Sequence, residues 1–155
     1  MQRINVRLLG IPASVDAAIP EFHSWIQQGL SDELLIDVVD YRHVPAGPGV
    51  MLIGHEADYG LSESGLTYSR KTKHAGTPAE QIKAAFTKAK AAAERFDLTW
   101  NDFEVIVNDR QETPNTEANW QALKNTLAEI FPGAAIAKQG DHRTRLTARV
   151  SGLTT

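Results

Sequence analysis

Ionisable side chains are concentrated around a glycine- and proline-rich turn between Tyr41 and Tyr59. The turn itself, residues 45–49, reads Pro-Ala-Gly-Pro-Gly. The ionisable residues on either side of it are Asp40, Arg42, His43, His55, Glu56 and Asp58. Imidazole and carboxylate groups are ligands for zinc, iron and manganese, and they also serve as general acids and bases. Any metal or acid-base chemistry of this chain is therefore expected in this segment.

The two histidines of this segment are predicted to lie apart. If the runs before and after the turn form a hairpin centred on Gly47, His43 lies near the turn and His55 lies opposite Val38. About five residues along the ladder, or ~16 Å at ~3.3 Å per residue, then separate the two imidazoles. We therefore predict that they share no metal ion, and we interpret Arg42 and His43 as part of a rigid turn.

A smaller cluster remains at the end of the second strand, where His55 stands beside Glu56 and Asp58. The facing strand adds either Asp37 or Asp40, depending on the register. One imidazole and two carboxylates can bind a divalent metal or carry out acid-base catalysis, because a carboxylate that holds an imidazole raises its basicity. A small metal-dependent or acid-base enzyme is one hypothesis. We favour a turn histidine bonded to the backbone, and we predict no cofactor.

Five arginines form a second candidate site, for anions. They share the polar side of the first and last predicted strands and are Arg3, Arg7, Arg143, Arg145 and Arg149. If these strands are neighbours, one sheet face can bind phosphates, carboxylates or an acidic partner. The net charge of −3 and the lack of aromatic residues among the arginines disfavour nucleic acid. The alternative is a solvated face on which the arginines pair with acids such as Glu104.

Three strands are predicted in the first third of the chain. Polar and apolar residues alternate over Arg3–Leu9, which is typical of a strand buried on one face. Runs rich in Val, Ile and Leu predict strands over Leu34–Tyr41 and Val50–His55. Both runs are apolar on both faces, as in central strands covered by helices, loops or a second subunit.

The remaining elements complete an alternating α and β pattern. Further strands are predicted over Leu66–Arg70, Phe103–Val107, Ala134–Lys138 and Arg143–Val150, and residues 56–65 are interpreted as a polar loop. Apolar residues at helical spacing predict three helices. The first covers residues 19–30, the second follows a Thr77-Pro78-Glu80 cap, and the third begins at Thr113-Pro114 and ends before Pro132-Gly133.

This order of elements, β, α, β, β, β, α, β, α, β, β, predicts an α+β fold. We expect a ferredoxin-like sandwich in which a mixed sheet packs about three helices on one face. With 155 residues, of which 42% are hydrophobic and 23% charged, the chain has the composition of a globular protein. Residues 1–155 are therefore predicted to form a single domain.

Composition also limits the kinds of site and the cellular location that we expect for this protein. The chain has no cysteine, which excludes disulfides, thiolate metal sites and a cysteine nucleophile. Residues 1–9 mix Arg3, Asn5 and Arg7 among apolar residues, so we expect no signal peptide. The apolar runs are far shorter than the roughly 20 residues that span a bilayer. We therefore expect a cytoplasmic protein that does not enter the membrane.

Three stretches resemble a group of bacterial proteins whose function is unassigned. They are Phe22–Gln27, Asp40–Tyr59 and Asn108–Thr116. The similarity extends over most of the chain, and it implies no catalytic residue. The resemblance therefore adds nothing to the functional hypotheses, which rest on the residues themselves.

Our leading hypothesis is a non-catalytic, or at most regulatory, domain that binds a small ligand or a protein. We expect it to self-associate, as a homodimer, through the apolar strands and to present Tyr41–Tyr59 to its ligand or partner. The enzyme centred on His55 and the anion or nucleic-acid binder with an arginine-lined face are the alternatives. We expect neither membrane nor nucleic acid among the partners.

Overall fold

The structure is a computed structural model that describes residues 3–28, 33–73, 75–140 and 144–153. The strands are β1 (Ile4–Ile11), β2 (Leu35–Tyr41), β3 (Gly49–Gly54), β4 (Ala57–Ser62), β5 (Gly65–Arg70), β6 (Thr99–Val107), β7 (Ala135–Gln139) and β8 (Leu146–Ser151). The helices are α1 (Ala18–Gln28), α2 (Pro78–Arg95) and α3 (Glu117–Ile130). The α+β class and the three helices are confirmed.

All eight strands belong to one sheet, in the order β2-β3-β4-β5-β1-β6-β8-β7. Every neighbouring pair is antiparallel, so the expectation of a mixed sheet is wrong. The reason is that each helix connects two strands with an odd number of strands between them. For example, α2 joins β5 to β6, and β1 lies between these two strands and pairs with both.

Strand β4 lies in the stretch that was interpreted as a polar loop, so that interpretation is wrong. Its residues alternate between the two faces of the sheet. Ala57, Tyr59 and Leu61 are buried in the core, whereas Asp58 and its even-numbered neighbours lie on the other face. The strand pairs with β3 on one side and with β5 on the other. It therefore gives the sheet one more strand than the sequence predicted.

Strand β2 forms an edge of the sheet, so its prediction as a central strand is wrong. Among the described strands it pairs only with β3, and the register shifts between Leu35 and Asp37. Its apolar side chains are left partly uncovered: Ile36 is 57% exposed and Tyr41 is 38% exposed. This run, which is largely apolar, therefore forms an edge with exposed apolar side chains.

The hydrophobic core lies on one face of the sheet, between the strands and the helices. In β1, the fully buried residues Ile4, Val6 and Leu8 face α2, whose small residues Ala85 and Ala89 allow close packing. The alternate residues of the strands point to the opposite face. None of the three described helices covers that face, so its side chains are mostly half-buried.

The helix boundaries follow the caps. The N–H of Glu80 donates to the side chain of Thr77 at 3.3 Å, which confirms the predicted cap of α2. The predicted start of α3 at Thr113 is one turn early, because Thr116 caps this helix. Residues 109–116 instead form turns, in which the N–H of Thr113 bonds the carbonyl of Asp109.

None of the helices described has the length and apolar character needed to cross a bilayer.

Candidate functional site

The register of β2 and β3 divides the predicted cluster into two parts. Asp40 pairs with Val50, about five residues along β3 from His55, or ~16 Å. Asp37 pairs with Ile53, and Val38 pairs with Leu52 rather than facing His55 as predicted. The N–H of His55 donates to the carbonyl of Leu34 at 2.8 Å. Asp40 is therefore not brought together with His55.

The hairpin is centred earlier than Gly47 because its loop folds into two consecutive turns. The N–H of Val44 bonds the carbonyl of Tyr41, and the N–H of Gly47 bonds the carbonyl of Val44, each at 3.0 Å. Ala46 and Gly49 have φ values of 55° and 75°, in the left-handed region that suits tight turns. The resulting loop, residues 42–48, is called the β2–β3 loop below.

At the His55 end, the two carboxylates bind cations of the chain itself. Glu56 lies 3.4 Å from the guanidinium of Arg70, and Asp58 lies 2.8 Å from the amine of Lys71. Asp58 also accepts the N–H of Gly54 at 3.3 Å. These ion pairs compete with a metal ion for the same oxygens. The metal or acid-base site stays a prediction, and no group of three or more potential metal ligands occurs among the described residues.

At the turn end, Arg42 connects two loops. Its Nε and Nη2 atoms donate to the two carboxylate oxygens of Asp40 at 2.9 and 2.7 Å, and its Nη1 atom donates to Asp16. Asp16 belongs to the loop between β1 and α1. Hydrogen bonds from the side chain and backbone of Arg42 lower the pKa of Asp40 to about 2. The hydrogen bond to Asp40 raises the pKa of Arg42 above its usual range.

This arrangement forms one wall of a cleft of about 880 Å³. The other walls are the β1–α1 loop and the turn between β4 and β5, which contains Glu63 and Ser64. His43 lines the cleft from the β2–β3 loop. The side chain of Arg7, on the open face of β1, also lines it. Among the predicted site residues, the cleft therefore brings together Arg7, Asp40, Arg42 and His43.

A smaller cavity of about 240 Å³ continues from the cleft onto the open face of the sheet. It shares Arg7, Gly47 and Ser62 with the cleft and adds Thr67 and Ser69. All of its described lining residues other than Arg7 are uncharged. Arg7 is therefore the charged residue that the described linings of the two cavities have in common.

Gly60 creates the space of the smaller cavity. In a row across the open face, Met51 pairs with Gly60, Gly60 with Thr67, and Thr67 with Arg7. A Cβ atom at Gly60 would lie 3.3 Å from the carbonyl oxygen of Pro48. The missing side chain leaves a notch in the row and lets the β2–β3 loop approach β4. Gly60 was not among the residues predicted from the sequence, although the alternation of Ala57, Tyr59 and Leu61 around it indicates a strand.

Arg7 and Arg149 do not lie on neighbouring strands, because β6 lies between β1 and β8. The condition set for a continuous arginine-lined face, that the first and last strands are neighbours, is therefore not met. Arg7 and Arg149 both pair with Glu104, one from each side, and Arg149 donates to Asp102 at 2.6 Å. Arg3 and Arg145 are exposed outside the strands, and Arg143 lies outside the described residues.

Comparison of the sequence with models of protein families finds no match, and a search of the curated proteins finds none. The similarity of Phe22–Gln27, Asp40–Tyr59 and Asn108–Thr116 to bacterial proteins stays a prediction.

Proposed function

We propose that this protein is a non-catalytic binding domain that holds a small ligand in the cleft beneath the β2–β3 loop. One observation carries the proposal: Arg42, held by Asp16 and Asp40, fixes this loop as the wall of a cleft of about 880 Å³. Sites for small molecules typically have volumes of roughly 300–1,000 Å³ and are largely preformed.

The loop is stiff for several independent reasons. Arg42 binds Asp40 in a bidentate manner, which fixes direction as well as distance. Pro45 and Pro48 each fix one backbone angle, and two turns close the loop. A preformed wall reduces the conformational entropy that a ligand must overcome on binding. These features support binding to an already shaped surface.

The lining of the cleft suits a ligand with both apolar and polar parts. Tyr41 and Val44 offer partly exposed apolar surface on the loop side. Arg7 and the hydroxyls of Ser62 and Ser64 offer hydrogen-bond donors on the sheet side. Because polar and charged residues make up about half of the lining, we expect hydrogen bonds to fix the orientation of the ligand.

The enzyme hypothesis centred on His55 receives less support from the geometry. Glu56 and Asp58 are drawn into ion pairs with Arg70 and Lys71, and Asp40 lies at the other end of the hairpin. In contrast, the cleft gathers its polar groups from four separate segments of the chain. The binding hypothesis is therefore the one we carry forward.

The proposal includes the ferredoxin-like fold in an extended form. The order β2-β5-β1-β6 of the four strands that α1 and α2 connect supports this proposal, in which the β3–β4 hairpin is an insertion between β2 and β5. The unit α3-β7-β8 then extends the sheet beyond β6. The inserted hairpin carries one side of the cleft, and we propose that it is the functional addition to the fold.

The proposal also includes self-association of the protein through β2. Because β2 is an edge strand, its outer side offers backbone donors and acceptors for pairing with a second copy. The exposed side chain of Ile36 supports this choice of edge, since pairing removes apolar surface from water. A cytoplasmic location stays a prediction.

An NMR screen of small metabolites against the ¹⁵N-labelled full chain tests the proposed function. We expect ligands to shift the amide signals of residues 42–48 and 62–64. Arg42→Ala should weaken their binding about tenfold, because the loop loses its anchor to Asp16. Arg149→Ala is the matched control, since it removes another exposed, carboxylate-bound arginine that lines neither the cleft nor the smaller cavity. Ligands that shift only distant signals, or equal losses in both variants, would contradict the proposal.

A further inference from the structure

We propose that the smaller cavity binds an oxyanion, the phosphate or carboxylate group of a small molecule, with Arg7 as the cationic partner. This inference rests on the proposed function and names the chemical class of its ligand. The bulk of the molecule then occupies the larger cleft, and its anionic group enters the notch above Gly60. Arg7 is placed for this role because it lines both cavities.

Arg7 differs from the two other arginines of this face and its border in having donors to spare. Arg42 and Arg149 both bind carboxylates of the chain. Within the part of the chain that the structure describes, Arg7 forms no ion pair, and its Nη2 atom donates to the hydroxyl of Ser64 at 3.1 Å. A guanidinium has five N–H donors, so most of them are available to an anion.

Serine and threonine hydroxyl groups beside Arg7 add further hydrogen-bond donors to the cavity. The hydroxyl oxygens of Ser62 and Ser64 lie 3.1 Å apart, so these side chains form a continuous polar chain with the guanidinium. Thr67 and Ser69 line the cavity from β5. Hydroxyl and guanidinium donors together suit the several acceptor oxygens of a phosphate or carboxylate.

The carboxylates near Arg7 do not occupy this cavity. Glu104 is its cross-strand neighbour on β6, but Glu104 lines neither the cleft nor the smaller cavity. Arg149 stands on the other side of Glu104 and shares its charge. Among the described residues that line the notch, Arg7 is the one that carries a charge, which favours an anion there.

Gly60 provides the volume that the anion needs. It lies between Met51 and Thr67 in the cross-strand row, and any larger residue would occupy the notch. The oxyanion would thus rest against the backbone of β4, beside the side chain of Arg7. Gly60→Ala changes the volume of the site without changing its charge, so the contribution of volume to anion binding can be separated from that of charge.

Titration of the ¹⁵N-labelled protein with inorganic phosphate, and separately with succinate, at constant ionic strength tests the inference. We expect saturable shifts of the amide signals of Gly60, Ser62 and Thr67. Arg7→Gln should weaken binding at least tenfold, whereas Arg145→Gln, at an exposed residue that lines neither cavity, should leave it unchanged. Tighter binding of phosphate assigns the site to a phosphate group, and tighter binding of succinate assigns it to a carboxylate. Absence of saturable shifts, or equal binding by wild type and Arg7→Gln, overturns the inference.

Two further variants keep the result interpretable if Arg7→Gln does not fold. Arg7→Lys keeps the charge but loses bidentate geometry, so we expect partial loss of binding. Gly60→Ala keeps Arg7 and should weaken binding through lost volume. Binding that is unaffected by both variants overturns the inference.

The oxyanion site and the proposed binding cleft can each fail without the other, and the experiments tell the two failures apart. A metabolite that binds at residues 42–48 with the same affinity in Arg7→Gln supports the binding domain but overturns the oxyanion site. The opposite result is phosphate binding beside Arg7 while no metabolite binds at the β2–β3 loop. That result supports the oxyanion site and overturns the cleft as the ligand site.

Discussion

The guanidinium of Arg42 donates to the carboxylate of Asp16, which lies 26 residues earlier in the chain. Through this bond the β2–β3 loop is tied to the loop that leads into α1. The same guanidinium binds Asp40 on its own strand, so one side chain fixes the loop both locally and across the fold. The shape of the cleft therefore depends on an ion-pair network that solvent can reach.

Arg42→Ala should raise the pKa of Asp40 from about 2 part of the way towards 3.8, because the variant removes the side-chain hydrogen bonds that favour the carboxylate and keeps the backbone one. Titration of the side-chain carboxyl carbon by ¹³C NMR measures this change. Arg149→Ala, which removes a different carboxylate-bound arginine, should leave the Asp40 titration where it is. An Asp40 titration that is the same in wild type and Arg42→Ala would refute this interpretation.

The same ion pair predicts the sign of a pH effect on stability. Since the folded-state pKa of Asp40 lies below the unfolded value of 3.8, its stabilising effect is present above about pH 4. The effect is lost as the pH falls through about 2. Chemical denaturation of wild type and Arg42→Ala should therefore show a difference at pH 6 that shrinks towards pH 2. A difference that grows on acidification would show the opposite sign and rule out this linkage.

Gly65→Ala should destabilise the fold more than Gly60→Ala. Gly65 has a φ of 145°, and an added Cβ would lie 2.0 Å from the carbonyl oxygen of Leu8, so the backbone must move. At Gly60 the nearest atom is 3.3 Å from the added Cβ. We expect a loss of more than ~1 kcal/mol of unfolding free energy at Gly65, and a smaller loss at Gly60. Urea denaturation measures both, and equal losses would contradict the contact geometry.

Tyr59→Phe should lower the unfolding free energy by about 1–3 kcal/mol. The hydroxyl of Tyr59 donates to Glu33 at 2.7 Å, and the side chain of Glu33 is only 4% exposed. Removing this donor weakens the hydrogen bonding of a buried carboxylate. Tyr41→Phe is the control, because Tyr41 lies at the exposed edge and should lose little. Similar losses in both variants would show that the Tyr59 hydroxyl contributes nothing specific.

Self-association through β2 predicts a concentration-dependent mass in size-exclusion chromatography with light scattering. Ile36→Lys should shift the protein to monomer, because it places a charge on the proposed edge. Ile11→Lys is the matched control, since Ile11 is exposed and belongs to β1. A strict monomer in wild type at high concentration, or equal effects of the two substitutions, would exclude pairing through β2.

Local signals in the sequence predicted the helices and most of the strands. The Thr77 cap was predicted because its chemistry depends only on residues one turn apart. Strand β4 was missed because Asp58, Gly60 and Ser62 have low strand propensity, although they alternate with core residues. The start of α3 was predicted too early because Thr113, followed by Pro114, can cap a helix as Thr116 does three residues later.

The candidate site was less predictable because it depends on register and on distant segments. A shift of the hairpin centre from Gly47 towards Pro45 separates Asp40 from His55, and no local rule determines that shift. Arg7 and Gly60 come together only because β5 lies between β1 and β4. Strand order of this kind is a property of the whole sheet, so the composition of the individual strands does not reveal it.

Strand β4 separates the requirements of folding from those of recognition within six residues. Its odd-numbered residues, Ala57, Tyr59 and Leu61, belong to the core, and two of its even-numbered residues, Gly60 and Ser62, line the notch. Substitution at the even positions can alter what is recognised while the packing beneath is preserved. The hairpin can therefore diversify under selection, or in a designed library, with little loss of the scaffold.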